Sequence, residues 1–115
     1  MDARLVQLLG SFMTTAGEYS LARLECAMHA PDLPAPPLID ALTEPSPAAL
    51  HVEWPVVERQ LDAALAYAKL VEKNRGSTYR DDGAFRMFDR VLKELDQYAR
   101  AIRWVLTVTD REDAT

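Results

Sequence analysis

The sequence predicts an all-α fold: a three-helix bundle, or four helices if a short one forms in the crossover, with the long C-terminal helix in an antiparallel hairpin. Three observations predict it. Apolar residues recur at helical spacing along three long stretches. Six prolines gather between residues 31 and 47 and break that pattern. A hydrophobic fraction of 49% with only four glycines describes a packed globule and not a disordered chain.

The first helix is expected over residues 3–29, with Asp2 as its cap. Its inner face reads Leu5, Leu8, Leu9, Phe12, Ala16, Tyr19, Leu24, Ala27 and Met28. Gly10 and Gly17 lie inside it, each costing about 1 kcal/mol relative to alanine. They are tolerated glycines, points of close helix–helix approach, or the sign of a break near Thr14–Gly17. Residues 30–54 form a proline-rich crossover, since proline has no amide donor and pushes the preceding residue towards extended geometry. One helical turn over Leu38–Leu42 could plug the core, and Ser46-Pro47 reads as an N-cap with proline at the first helical position, starting a short helix. A second long helix is expected over 55–75, with Val57, Leu61, Ala64, Leu65, Ala68 and Val71 inward and Gly76 at its end. After a short polar connection, the third runs over 82–109 and leaves a frayed tail at 110–115. Phe85, Phe88, Leu92, Leu95, Ala99, Ile102 and Leu106 follow one another at heptad spacing there, widened by Val91, Tyr98 and Val105. That seam is broader than one helix contact uses, so a symmetric homodimer through the second and third helices is expected.

With 115 residues the chain is expected to be one domain with a real core. A single cysteine, Cys26, cannot form an internal disulfide, which fits a reducing cytoplasm. The start lacks a basic n-region, and Gln7, Ser11, Thr14 and Thr15 interrupt the apolar stretch, which argues against a signal peptide or a membrane span. The net charge is −5, and −4 of it lies in residues 31–53, where Asp32, Asp40, Glu44 and Glu53 stand without lysine or arginine. Mild acidity argues against general nucleic-acid binding.

Candidate chemistry is sparse. Glu25, His29 and, if the crossover folds back, His51 are the residues that could hold a metal, but their spacing matches no established pattern. No cofactor fingerprint, phosphate loop or nucleophile elbow is present. Arg23 and His29 form an Arg-x5-His arrangement that loosely resembles the Arg-x4–6-His signature of HEPN ribonucleases, small all-α dimers in which the arginine and histidine of two chains meet across a cleft. Here apolar Leu24 follows the arginine where that family favours a polar residue, and the element lies in the first helix instead of a late one. The third helix carries a basic stripe of Arg86, Arg90, Lys93, Gln97 and Arg100 ending in Trp104, residue types that anchor protein interfaces. It meets an acidic protein partner or phosphates, is covered by the acidic 31–53 segment, or is a solvated, internally paired face. The reading that follows is a non-catalytic helical interaction module (adaptor, regulator or inhibitor) acting through a helical face as a homodimer. The alternatives are a small all-α enzyme using Arg23, Glu25 and His29, and an acidic mimic of nucleic acid.

Overall fold

The computed structural model describes residues 2–40 and 46–114 and consists of four helices: α1 (Ala3–His29), α2 (Pro47–Arg75), α3 (Ser77–Asp81) and α4 (Gly83–Ala114). No strand occurs among the described residues. The elongated bundle measures 52 × 20 × 19 Å, its length set by α4.

The three long helices each start at a side-chain cap. The Asp2 carboxylate accepts from the Arg4 amide at 2.7 Å and also binds the Arg4 guanidinium, which holds its pKa down at about 2. Ser46 Oγ accepts from the Ala49 amide at 3.2 Å, with Pro47 in the first turn. The Asp82 carboxylate accepts from the Ala84 amide at 2.8 Å at the start of α4. Gly76 ends α2 with φ of 54°, a backbone conformation that costs other residues strain, and α3 follows at once.

Chain direction decides the rest. Arg4 meets Trp104, whereas His29 meets Asp82, so α1 and α4 are antiparallel. Glu58 pairs with Arg103 and Tyr67 packs on Phe88, so α2 is antiparallel to α4 as well. The first two long helices are therefore parallel, and the chain between them must return the whole length of α1. At about 3.1 Å per residue, an extended segment of this size spans roughly 50 Å, against about 40 Å for α1. Prolines suit that return path, since residues 34–40 adopt no helix and need no helical amide donors. The Tyr19 hydroxyl donates to Pro37 O at 2.6 Å and Arg23 Nε to Pro36 O at 2.6 Å, fastening the segment to α1. Asp40 and Gln60 exchange two hydrogen bonds at 2.9 Å, and Arg75 forms an ion pair with Asp32, fastening it to α2.

The core is a continuous cluster drawn from all four helices, Ala30 and Ile39. Phe88 lies at its middle, with ring centroids 5.4 Å from Tyr19 and 6.0 Å from Tyr67. Phe12 meets Trp54 edge-on at 5.4 Å. Helix α4 packs chiefly on α1, because Ala16, Ala22 and Cys26 let the two backbones approach: Cys26 Sγ lies 3.6 Å from Ala84 O. Bulkier Trp54, Leu61 and Tyr67 fill the space between α2 and its neighbours.

Several expectations need correction. The second helix begins at Pro47, not Pro55, and absorbs the short helix expected in the crossover. The additional short helix is α3, which occupies the short polar connection between the second and last long helices. Leu38, Ile39 and Asp40 form no helical turn, and Ala41, Leu42 and Glu44 lie outside the described residues. The last helix continues through Ala114, across most of the expected tail. Within α1, Leu24 and Met28 do not face the core: they are 54% and 79% exposed. The helix is unbroken across Thr14–Gly17.

Candidate interaction surface

The expected site residues fall into three groups. Arg23 and His29 share a helix but not a face. Six residues at about 100° each leave them roughly 120° apart around the axis. Arg23 is half-buried and holds Pro36, while His29 lies on the surface with Nδ1 3.2 Å from Asp82 Oδ2. Burial opposes the charge on Asp82, but the Ala84 amide and His29 outweigh it and lower its pKa. Both residues therefore have structural partners, and they do not converge on one cleft.

The metal candidates are likewise dispersed. Glu25 and His51 are exposed, and His51 lies one turn before Trp54, which packs on Phe12. From Phe12 to His29 is roughly 25 Å along α1 at 1.5 Å per residue, so His51 and His29 occupy distant levels of the bundle. No group of three or more histidine, cysteine or acidic side chains able to hold a metal occurs among the described residues. Cys26 is fully buried, and desolvation, with help from Asp82 and Glu25, pushes its thiol up to about 12. A thiol so placed is a small core residue and not a nucleophile.

The basic stripe of α4 is exposed as expected, but its charges are matched along its own helix. Arg90 pairs with Glu94 at 3.3 Å, Lys93 with Asp89 at 2.8 Å and Arg100 with Asp96 at 3.1 Å. Asp89 also accepts from the Tyr79 hydroxyl at 2.9 Å, tying α3 to that face. Arg86 is exposed at the start of the stripe. Trp104 is 58% exposed at the other end, and the Arg4 guanidinium lies 5.7 Å from its ring centre. Among the described residues of the acidic segment, Asp32 and Asp40 turn to α2, where Arg75 and Gln60 engage them. Exposed i,i+4 pairs of this kind contribute only about 0.3–0.5 kcal/mol each, and they leave little net charge for a partner to read.

The apolar seam of α4 is consumed inside the chain. Val91, Leu92, Leu95, Ile102, Val105 and Leu106 are all buried against α1 and α2. The face expected to form a dimer through α2 and α4 is therefore covered by α1.

What the seam lacks, α1 supplies. Its outward side carries Val6, Met13, Leu21, Leu24 and Met28, all substantially exposed. Gly10 and Gly17 lie on the same side, and a Cβ built on either meets nothing within 4 Å. These glycines therefore do not serve packing within the chain. Gly10→Ala and Gly17→Ala are each expected to raise stability by about 0.5–1 kcal/mol, since alanine removes the entropy cost of glycine in an exposed helix. Urea unfolding at low micromolar concentration measures it, and a loss of stability in both variants would show that the two positions face packed structure. In the sequence this stripe is a second run of apolar residues at helical spacing, and Leu24 and Met28, expected on the inner face, belong to it.

Comparison with protein-family models, with curated proteins and with solved structures returns no match. Among the described residues, no helix is long and apolar enough to cross a membrane.

Proposed function

We propose that this chain is a non-catalytic helical interaction module, an adaptor or regulator that works by presenting the outward face of α1 to another helix. The observation that carries the reading is the composition of that face. It runs nearly the full length of α1 with large apolar side chains in solvent and no charged residue among them. An apolar stripe along one exposed helix face supports an interaction site more than singly scattered exposed residues do. Helix-in-groove and helix-on-helix recognition use side chains at this spacing. Burial of Cys26 without a disulfide partner agrees with a reducing compartment such as the cytoplasm.

Immobilised wild-type chain and its Leu21→Glu and Lys93→Glu variants, exposed to host lysate and read by mass spectrometry, test the proposal. Leu21→Glu is expected to reduce retention of the specific partner at least tenfold, whereas Lys93→Glu leaves it unchanged. Equal retention by wild type and Leu21→Glu would remove α1 from the function. Loss with Lys93→Glu alone would place the binding surface on α4.

A further inference from the structure

We infer that the helix received by this face is α1 of a second copy, packed antiparallel about a two-fold axis through Gly17. The inference rests on the interaction reading above and names its partner.

Among the described residues of the three long helices, α1 alone has an outward face free of charge along its centre. The outward face of α2 carries Val52, Val56 and Leu70 but is interrupted by Arg59 and flanked by Asp62 and Lys69. That of α4 is the paired basic stripe. On α1 the charges lie off to the sides: Glu18 and Glu25 on one flank, Arg23 turned towards the crossover. A helix lying on an anionic membrane surface wants lysine or arginine beside its apolar face, and here that flank is acidic. A second protein surface is the better match.

The spacing says which one. Val6, Gly10, Met13, Gly17, Leu21, Leu24 and Met28 are separated by steps of 4, 3, 4, 4, 3 and 4. The series reads the same in both directions, and Gly17 is its centre. A two-fold axis at Gly17 therefore sets every member of the stripe opposite another member, giving the reciprocal contacts of an isologous interface. Gly17 meets Gly17 of the second copy, where two missing side chains let the backbones come close. Met13 meets Leu21 of the second copy, and Val6 meets Met28 of the second copy. The remaining pair sets Gly10 against Leu24 of the second copy, a gap opposite a bulky side chain. The exposed glycines, which weaken an isolated α1, acquire a packing role in this arrangement.

The area is sufficient. At their observed exposures the five apolar side chains leave roughly 500 Å² in solvent, near the top of the range for the largest patch on a monomer. Two such stripes face to face bury at most about 1,000 Å², the size of a weak, reversible interface. An association of micromolar strength fits an interface of that size.

Sedimentation equilibrium of the full chain at about 100 µM is expected to give a dimer. Leu24→Glu, at an exposed position that leaves helicity unchanged, is expected to weaken association at least 100-fold. Oxidative cross-linking then fixes the geometry. Gly17→Cys, and Met13→Cys mixed with Leu21→Cys, are expected to form interchain disulfides. Val6→Cys alone is not, because antiparallel packing places its two copies roughly 33 Å apart. A wild-type monomer at that concentration would overturn the inference, while retention of another protein through Leu21 would leave the interaction reading standing. A dimer indifferent to Leu24→Glu, or Val6→Cys cross-linking as readily as Gly17→Cys, would overturn it too. The first would place the interface elsewhere and the second would make it parallel.

Discussion

Phe88→Ala is expected to lower stability by about 3–5 kcal/mol, the range for removing a fully buried aromatic side chain. Phe88 is 1% exposed and sits where α1, α2 and α4 meet, with the rings of Tyr19 and Tyr67 against it. Alanine there loses the transfer free energy of the ring and leaves a cavity bounded by three helices. It also forfeits two aromatic contacts, each worth about 0.5–1.5 kcal/mol beyond its buried area. Small domains hold only about 5–15 kcal/mol in total, so one substitution removes a large share. Guanidinium unfolding followed by helical circular dichroism measures it, with the midpoint falling and the slope nearly unchanged. Phe88→Leu, which refills most of the volume, is expected to cost less than half as much. A loss below about 1.5 kcal/mol for Phe88→Ala would mean that this residue does not sit at the junction of the three helices.

The second large effect has the opposite sign. Pro55→Ala is expected to stabilise the protein by about 1–3 kcal/mol, because Pro55 is exposed and lies well inside α2. Proline at that place gives no amide to the carbonyl of His51 and crowds it with its ring. Alanine restores the hydrogen bond at little cost in packing, less about 0.4–1 kcal/mol for the greater freedom of its unfolded chain. Had the helix begun at residue 55, proline would occupy the first turn, where it is favoured, and the same change would be neutral or slightly destabilising. The sign of the change, read from thermal and urea unfolding together, therefore decides where α2 starts.

That start shows how far local sequence rules carry. Ser46-Pro47 and Trp54-Pro55 each resemble a helix beginning, and local chemistry prefers the second because it avoids an interior proline. The structure takes the first because Leu50 and Trp54 are both buried in the core, Leu50 completely and Trp54 against Phe12. Burying two large side chains offsets the penalty of one proline. Propensity yields to packing in such a contest, and a single-sequence pattern holds no measure of the packing.

The candidate site was partly legible for a related reason. Heptad spacing reveals that a helix has an apolar face, but a helix with two such faces does not say which one is covered. Leu5, Leu9 and Phe12 on one side of α1 and Val6, Met13 and Leu21 on the other have comparable hydrophobicity. Only the direction of α4, running back along the first set, leaves the second in solvent. The same step disposed of the α4 seam as an interface, since its breadth is used by two helices of its own chain.

Helix ends and the presence of the three long helices were written in local residues, because each depends on interactions within a few positions: Asp2 and Ser46 cap helices and Gly76 ends one, as the sequence predicts. Tertiary structure alone decided which helices touch, and with that which surface remains for a partner. The physical reason is that burial is a property of pairs. Ala16, Ala22 and Cys26 carry no signal of closeness until α4 lies against them. Gly10 and Gly17 can be read as packing glycines within the chain until the structure shows that a Cβ on either meets nothing within 4 Å.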